Sequence, residues 1–273
     1  MNYKILYLLF LLPLVIFSQE SPDIKFDKYL DNKTNVIFVD NNEYCPVSIE
    51  YEYSGENVKS SLTSKSIIVV PANAKKFIIS KIDAEDPFKS YKFNYNVFYV
   101  FGDVNAKPSH TEEVYWLPYS TNTSQSIYQG YNGNFSHQNA NSLDFSHKLG
   151  TKIFAARSGK VIITKSDSDQ ACLTKDCTKF NNKIIILHDD GTFAEYVHLK
   201  KNGIVVNKGD DVKQGQLIGY SGNTGWSKGP HLHFSVFTNK IDGERIYYKT
   251  KFRVKESPNA VYLQEKKTYT RNY

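Results

Sequence analysis

The 273-residue sequence predicts an all-β protein made of two domains. Three observations support this prediction: short runs in which apolar and polar residues alternate, turn-forming residues between the runs, and the absence of a convincing amphipathic helix pattern. The chain is also long enough to bury two hydrophobic cores without metal ions or disulfide bonds. We divide it into a leader at 1–18, a first β domain at 19–105, a linker and entry segment at 106–128, and a second β domain at 129–273.

The leader, MNYKILYLLFLLPLVIFS, combines an early lysine with an unbroken apolar run and a small Ser18 at its end. This pattern is typical of a secretory signal peptide, and the run is too short to span a bilayer together with its flanks. An uncleaved amino-terminal anchor is the alternative. Both interpretations place the working part of the protein outside the cytoplasm, in the periplasm, the cell envelope or the medium. No later segment reaches membrane-spanning length.

The first β domain contains two long alternating runs, VSIEYEY and YKFNYNVFYV. In both runs, apolar and aromatic side chains share one strand face and polar side chains share the other. The shorter apolar run TNVIFV precedes them, SIIVVPA and KFIISKI lie between them, and Gly, Pro, Asn and Asp separate the runs. This spacing predicts a small β-sandwich of immunoglobulin-like size. We find no catalytic constellation in it.

The second β domain follows a stretch rich in Pro, Ser, Thr and Asn, which interrupts the alternation and indicates a linker. The run KIIILHDDGTFAEYVHL then predicts a hairpin with its turn at Asp190 and Gly191. The runs GKVIITKS, QLIGYSG and HLHFSVF predict further strands.

The net charge of +6 is modest, and the lysines are scattered along the chain. A nucleic-acid-binding surface requires clustered basic residues, so we expect no nucleic-acid partner. Weak attraction to an anionic cell-wall polymer is compatible with this charge.

Three cysteines are too few for a disulfide-based scaffold. Cys172 and Cys177 lie close together in a polar loop of a chain that we expect to be exported, which favours a disulfide bond. Such a bond would stabilise the fold by roughly 2 kcal/mol. A zinc knuckle is the alternative, but a second Cys or His pair at ligand spacing is missing. Cys45 is left over, and we expect it to be buried.

The segment KGPHLHF (228–234) places two histidines one residue apart behind a Gly-Pro turn. On a strand, His231 and His233 share one face, whereas Leu232 and Phe234 share the opposite face with Val236. The apolar residues are candidates for the core, so the histidines face a cavity or solvent. A lone His-x-His pair is more often a half-exposed strand face than a metal site.

The motifs around this pair occur in a recognisable order. QGYNGNFSHQNANSLDFSHKLGTKIFAARSGKV is followed by TFAEYVHL, GDDVKQGQLIGYSGNTG and GPHLHF. In this order the chain resembles the LytM/lysostaphin-type zinc metallopeptidases, peptidoglycan endopeptidases that cut peptides in bacterial cell walls. The resemblance covers about Gln129 to Phe237. It implies an antiparallel β-sheet groove of the duplicated hybrid motif type in the second domain.

The resemblance also implies a zinc ion held by His137, Asp144 and His233, with His198 and His231 as catalytic residues. Three protein ligands leave one tetrahedral position open for water, which is typical of a catalytic zinc site. The two other imidazoles would transfer a proton and stabilise the oxyanion. We assign proton transfer to His231 and the orienting or oxyanion role to His198, although the two roles could be exchanged.

The sequence departs from the family pattern between its first two ligands. His137 and Asp144 are separated by six residues, whereas the family usually has three. A displacement of seven cannot keep both side chains on one face of an unbroken strand, so QNANS must bulge or form a loop. His147 is the competing ligand, three residues after the aspartate.

Other residues near these motifs have weaker assignments. Tyr131 lies where some relatives carry a tyrosine that helps to hold the transition state, and a packing role is the alternative. We expect His110 and His188 to be solvated. Some relatives are kept latent by an upstream segment, and His110 or a linker asparagine could fill the open zinc position in an interdomain autoinhibition.

The residues and the resemblance together predict an exported zinc metalloendopeptidase that hydrolyses peptide bonds of peptidoglycan, in the cross-link or the stem peptide. The alternative is a catalytically inactive wall-binding protein or an activator of other wall hydrolases. A third interpretation takes the first domain as an adhesion module and the second as a relic. The presence of every expected ligand type favours the enzyme.

Overall fold

The computed structural model describes residues 22–108 and 113–273. The predicted signal peptide and His110 lie outside these residues. Across the described ranges the protein is built almost entirely from β-strands, with a single 3-10 helix at Lys175–Phe180, so the all-β prediction is confirmed. Within the same ranges, no helix has the length and apolar character needed to cross a bilayer.

The amino-terminal half contains seven strands in two antiparallel sheets. The strands are β1 (Ile24–Asp31), β2 (Thr34–Asn41), β3 (Val47–Glu56), β4 (Val58–Ser60), β5 (Ser66–Val70), β6 (Phe77–Ala84) and β7 (Lys92–Phe101). One sheet has the order β1-β2-β6-β4 and the other has the order β5-β3-β7. Both sheets contribute buried residues to a common core, including Ile37 of β2, Ile49 and Tyr51 of β3, and Ile82 of β6.

The carboxy-terminal half contains the remaining seventeen strands. They are β8 (Val114–Trp116), β9 (Thr123–Gln129), β10 (Ser142–Ser146), β11 (Lys152–Phe154), β12 (Gly159–Lys165), β13 (Ala171–Cys172), β14 (Lys183–Leu187), β15 (Phe193–Val197), β16 (Leu199–Ile204), β17 (Asp211–Val212), β18 (Leu217–Ser221), β19 (Gly225–Trp226), β20 (His231–Asn239), β21 (Arg245–Tyr248), β22 (Lys251–Val254), β23 (Ser257–Tyr262) and β24 (Thr268–Arg271).

A nine-stranded antiparallel sheet organises this half, with the order β17-β12-β14-β15-β20-β10-β9-β24 and β21 paired to β20. Smaller sheets, β11-β18-β16, β23-β22-β8 and β13-β19, surround it. Because side chains alternate along a strand, each central strand of the large sheet has two distinct faces. One face is packed into the larger apolar core, with Tyr196 of β15 and Phe234 of β20 almost fully buried. The opposite face carries the candidate site.

The predicted linker and entry segment, 106–128, includes two strands of the carboxy-terminal half. Strand β8 pairs with β22, and β9 pairs with β10 and β24. Tyr115, Leu117, Tyr119 and Ile127 are buried in the larger core. The sequence does not predict these strands, because the Pro- and Ser-rich composition indicates a linker. Each strand is also short and pairs with strands that are distant in sequence.

The two halves are joined by a small apolar cluster of Cys45, Ile162, Ile185, Phe193 and Phe237, against which Phe101 packs. Ile185, Phe193 and Phe237 belong to the large sheet, and the last two lie opposite each other on β15 and β20. The expectation of a buried Cys45 is confirmed. A buried Glu43 also binds Lys208, with Oε2 and Nζ 2.7 Å apart. The amino-terminal half is therefore packed against one end of the large sheet.

Candidate metal centre

Strand β20 presents its two histidines on one face, as its alternating pattern predicts. Leu232, Phe234 and Val236 are fully buried in the larger core, whereas His231 and His233 are only partly buried on the other face. His233 lies directly opposite Asp144 of the neighbouring strand β10. The sheet register therefore brings a carboxylate to the same face as the imidazole pair.

The third residue, His137, lies outside β10 in the loop that joins β9 to β10, and its side chain is completely buried. The His137 backbone N–H donates to Gly133 O at 3.2 Å, and the Ala140 N–H donates to His137 O at 2.9 Å. Asn139 adopts the left-handed conformation with φ of 59°, which suits a tight turn. The predicted loop after His137 is confirmed, and it returns the imidazole to the sheet face.

Three donor atoms from these residues converge on one point. His137 Nε2 lies 3.2 Å from Asp144 Oδ1 and 3.2 Å from His233 Nδ1. His233 Nδ1 lies 3.0 Å from Asp144 Oδ1. Zinc binds nitrogen and carboxylate oxygen at about 2.0–2.2 Å, so neighbouring ligands of a tetrahedral ion are about 3.3 Å apart. The residues present therefore fit a zinc ion.

Hydrogen bonds fix the tautomers of the two imidazoles. His137 Nδ1 lies 2.9 Å from Gly130 O, a carbonyl that can only accept, so Nδ1 carries the proton and Nε2 keeps its lone pair. His233 Nε2 lies 2.9 Å from Ser235 Oγ, which itself lies 2.8 Å from Ser142 Oγ. An N–H donated from Nε2 to the serine leaves Nδ1 free for a metal. Such outer partners are typical of metal-binding histidines.

The electrostatics of this cluster favour a charged carboxylate. Burial opposes ionisation of Asp144, but hydrogen bonds with His137 and His233 lower its pKa far below the usual range. Burial also opposes protonation of His233, yet the neighbouring Asp144 carboxylate raises the pKa of that imidazole. A buried anion that attracts positive charge is the electrostatic environment that a cation site requires.

His198 and His231 lie next to the three donor residues, with ring centroids 4.5 Å apart. His231 Nδ1 lies 2.8 Å from Gly229 O, and His198 Nδ1 lies 2.6 Å from Thr224 O. Both Nδ1 atoms must donate to these carbonyls, so both Nε2 atoms are acceptors in the neutral rings. His231 Nε2 is 3.8 Å from Asp144 Oδ1, which places it beside the three donor atoms.

Both of these imidazoles are held in the neutral form. Burial and the nearby His231 lower the pKa of His198 to about 3. Burial lowers the pKa of His231 despite the attraction of the Asp144 carboxylate. His198 also adopts φ of 65°, a left-handed conformation that is rare for residues other than glycine. Such strain is often found at functional sites, and here it lies at the junction of β15 and β16.

The structure does not support a catalytic position for Tyr131. Its hydroxyl donates to Thr250 O at 2.9 Å, and its ring packs against the larger core. Burial raises the pKa of this phenol well above its ordinary value. Tyr128 instead lines the cavity that contains the histidines, with its ring centroid 6.2 Å from that of His231. Tyr128 lies near the end of strand β9, next to Gln129, which pairs with Asp144, whereas Tyr131 lies in the following loop.

Two other histidines are packing residues. His147, the competing ligand, is buried against the rings of Tyr119 and Phe145, and neither of its ring nitrogens has a partner among the described residues. Burial lowers its pKa to about 3, so it is a neutral core residue. The expectation that His188 is solvated is wrong: its side chain is buried against Tyr115, and Nδ1 lies 2.8 Å from Ser158 O.

Two of the donor residues, Asp144 and His233, and both neighbouring histidines line a groove with a cavity of about 470 Å³, whereas His137 is buried behind them. Trp226 and Tyr128 form part of its walls, and Lys183, Glu195 and Arg245 lie along its floor. Within the described residues, none of 22–108 lines this cavity. The predicted autoinhibition by His110 or a linker asparagine stays a prediction, since residues 109–112 lie outside the described ranges.

The disulfide between Cys172 and Cys177 is present, and it connects β13 to the 3-10 helix. Strand β13 pairs in parallel with β19, which places Cys172 opposite Trp226 of the groove wall. The preferred alternative from the sequence is confirmed, and the bond braces one side of the groove.

Residues 138–245 match the model of peptidase family M23. Over these residues the chain is similar to peptidase family M23. The matched range contains Asp144, His198, His231 and His233 but begins one residue after His137. The assignment of His137 therefore rests on its position in the structure.

Several curated proteins are similar to this part of the chain. An uncharacterized metalloprotease of Buchnera aphidicola is 42% identical over 98 residues, which cover 36% of this chain and 23% of that protein. The peptidoglycan DD-endopeptidase ShyA of Vibrio cholerae is 35% identical over 96 residues, covering 35% and 20%. Lysostaphin of Staphylococcus staphylolyticus is 36% identical over 100 residues, covering 36% and 18%. The chain thus matches only about a fifth of the length of these relatives.

Among solved structures, the catalytic domain of the antimicrobial peptidase lysostaphin from Staphylococcus simulans is 28% identical. The match has a TM-score of 0.34 and covers 46% of this chain and 87% of that domain.

The groove and its surroundings contain functional candidates that sequence reasoning missed. They are Tyr128 in the groove wall, Ser235 and Ser142 behind His233, and the charged residues Lys183, Glu195 and Arg245 on the groove floor. The alternating pattern of HLHFSVF places Ser235 on the same strand face as the two histidines, so its position beside them can be predicted from the sequence. The others depend on strand order and loop geometry.

Proposed function

We propose that the protein is an exported zinc metalloendopeptidase that hydrolyses peptide bonds of bacterial peptidoglycan. The observation that carries this proposal is the convergence of His137, Asp144 and His233, with two neutral imidazoles beside them. The similarity of residues 138–245 to peptidase family M23 supports a peptidase. Export rests on the predicted signal peptide at 1–18.

A zinc ion bound by the three donors would supply Lewis acidity and lower the pKa of a bound water from about 15.7 to near 7. His137 and His233 contribute neutral nitrogens, and Asp144 contributes the negative charge. The outer hydrogen bonds to Gly130 O and Ser235 Oγ keep both imidazoles oriented for this task.

His231 is our choice for proton transfer. Its Nδ1–H is held by Gly229 O, so the neutral ring accepts a proton only at Nε2, the atom beside Asp144. After it accepts the proton of the attacking water, His231 becomes a donor at that atom and passes the proton to the departing amine. His198 has the same tautomer and lies across from His231, so it orients the water or the oxyanion.

We infer that Tyr128, in place of Tyr131, is the oxyanion donor, because Tyr128 lines the groove and its ring lies near that of His231. A hydroxyl aimed at a developing negative charge stabilises the transition state more than the ground state. The groove around it is open to solvent and lined by strands, which suits an extended peptide bound alongside them.

The alternative is a wall-binding protein or an activator of other hydrolases that has no catalytic activity. Such a protein needs a groove but does not need two neutral histidines whose free nitrogens face the donor atoms. The retention of both His198 and His231 beside the donor set favours the enzyme.

The test is to load the purified protein with zinc and incubate it with peptidoglycan fragments, with and without a chelator. We expect new amino termini only with metal. His231→Ala should keep one zinc per chain and lower turnover by roughly 10² to 10⁴-fold. His233→Ala should lose the zinc as well. His147→Gln is the matched control, because His147 is buried near this site but contacts none of the three donors.

The results separate the hypotheses. Bound zinc without any cleavage would favour the wall-binding alternative. Failure to bind zinc would overturn the metal centre itself.

A further inference from the structure

A row of side chains crosses the groove floor from the metal centre to a lysine. Asp144 pairs with His233, His233 pairs with Val197 of β15, and Val197 pairs with Lys183 of β14. Directly paired residues project to the same sheet face, so Lys183 shares the groove face with the donor residues. Two strand spacings of about 4.8 Å place its backbone roughly 10 Å from that of His233.

Lys183 forms no direct ion pair with an acidic residue. Among the described residues it makes no hydrogen bond or salt bridge, and burial lowers the pKa of its ammonium group. Glu195 is the nearby anion, but its carboxylate already accepts a hydrogen bond from Arg245 Nη1 at 2.8 Å. Arg245 is also fixed, with its guanidinium 3.8 Å from the centroid of the Phe237 ring. Lys183 therefore shares the field of Glu195 with Arg245 and has no direct ion pair of its own.

A second lysine lies directly opposite. Lys165 of β12 pairs with Lys183, and like charges that face each other across two strands destabilise a sheet. Lys179, from the 3-10 helix, lines the same cavity. This arrangement costs stability in the free protein, and an anion bound among the lysines would offset that cost.

Further lysines line a second cavity next to the groove. A second cavity of about 420 Å³ shares Lys179 and Lys183 with the groove and adds Lys165 and Lys208. Lys208 is neutralised by Glu43 of the amino-terminal half, so that half forms the far wall of this cavity. A positively charged path thus runs from the metal centre towards the junction of the two halves.

We propose that Lys183, together with Lys165 and Lys179, forms a subsite for a carboxylate of the substrate peptide, on one side of the bond that is cleaved. This inference rests on the proposed peptidase function. It specifies the substrate class as peptides that carry free carboxylates, such as peptidoglycan stem peptides, in preference to uncharged glycine bridges.

The spacing sets the position of the charge. An extended peptide advances about 3.3 Å per residue, so the roughly 10 Å between the backbones of His233 and Lys183 corresponds to about three residues. The carboxylate should therefore belong to a residue one to three positions from the cleaved bond.

The test uses the zinc-loaded, full-length protein and a series of stem-peptide analogues. Each of the three positions on either side of the cleaved bond carries glutamate in one peptide and glutamine in its partner. At one position, we expect kcat/KM for the glutamate peptide to exceed that of the glutamine peptide by roughly 10 to 100-fold, as for a charge-assisted hydrogen bond. The other positions should show little preference.

Variants then assign the preference to the lysine. Lys183→Gln should reduce the glutamate-to-glutamine ratio to within about threefold of unity, whereas Lys183→Arg should preserve it. Lys152→Gln, on an exposed part of β11 outside both cavities, is the matched control and should keep the full ratio. The ratio is read within each variant, so a general loss of activity does not imitate the expected result.

The outcomes are distinguishable. Cleavage of both members of every pair with equal efficiency would leave the peptidase function intact and overturn the subsite. A strong preference that survives in Lys183→Gln would also overturn it. If no peptide is cleaved, the proposed function fails and this inference fails with it.

Discussion

The Nε2 atom of His233 lies 2.9 Å from the hydroxyl oxygen of Ser235, two residues further along the same strand. Ser142 Oγ lies 2.8 Å from that hydroxyl, and both serines are almost completely buried. The pair fixes the ring of His233 so that its other nitrogen faces Asp144. We expect Ser235→Ala to weaken zinc binding by roughly 10 to 100-fold, measured by competition with a chelating dye.

The serine prediction has a matched control in Ser124→Ala. Ser124 also shares a hydrogen bond with another hydroxyl, that of Thr270 at 2.8 Å, but its side chain is exposed on strand β9. This control should bind zinc as the wild type does. Equal zinc affinity in both variants would show that Ser235 does not orient the ligand.

Tyr128 and Tyr131 should respond differently to loss of the hydroxyl group. Tyr128→Phe should lower kcat on peptidoglycan fragments by roughly 10 to 100-fold, because an oxyanion donor is removed. Tyr131→Phe should leave kcat nearly unchanged and lower the free energy of unfolding by about 1 kcal/mol, because its bond to Thr250 O is lost. Activity assays and denaturant titrations measure the two effects, and the reverse pattern would restore the sequence-based assignment.

The sequence predicts those features that depend on local alternation and on the order of motifs. The period of two in HLHFSVF is enough to place His231 and His233 on the face opposite Phe234, because strand geometry allows no other arrangement. The spacing between His137 and Asp144 likewise requires a loop, and the structure contains one.

Features that depend on distant partners escape this reasoning. His188 looks solvated in a polar hairpin turn, but Tyr115 from the predicted linker segment covers it. The position of Lys183 relative to His233 follows from the strand order β14-β15-β20, which local patterns do not encode. Tyr128 and Tyr131 are close in a chain with 20 tyrosines, and only the end of strand β9 separates their environments.

The disulfide bond should stabilise the wall of the groove. Cys172 and Cys177 close a loop of a few residues, for which the chain-entropy estimate is about 2 kcal/mol. We expect the double variant Cys172→Ser and Cys177→Ser to lose about that much in the free energy of unfolding. Reduction of the wild type should reproduce the loss, whereas Cys45→Ala should not abolish the effect of reductant. No response to reductant would contradict this role.

Acid should destabilise the fold through His188. Burial and the adjacent Arg157 guanidinium lower the pKa of this imidazole to about 4, and its Nε2 has no partner among the described residues. The unfolded chain has a histidine pKa near 6.5, so it takes up the proton first as the pH falls. The stabilising contribution is complete above about pH 6.5 and is lost between pH 6.5 and 4, by about 3 kcal/mol in total.

The variant His188→Asn isolates this proton from the other titrating groups. Asparagine retains an N–H that can donate to Ser158 O, but it does not titrate in this range. Denaturant unfolding of both proteins from pH 7.5 to 4.5, in the presence of a chelator, gives two curves of stability against pH. The wild-type curve should fall more steeply below pH 6.5, by up to about 1.4 kcal/mol per pH unit for one proton. Parallel curves would show that protonation of His188 does not lower the free energy of unfolding, which would contradict the prediction.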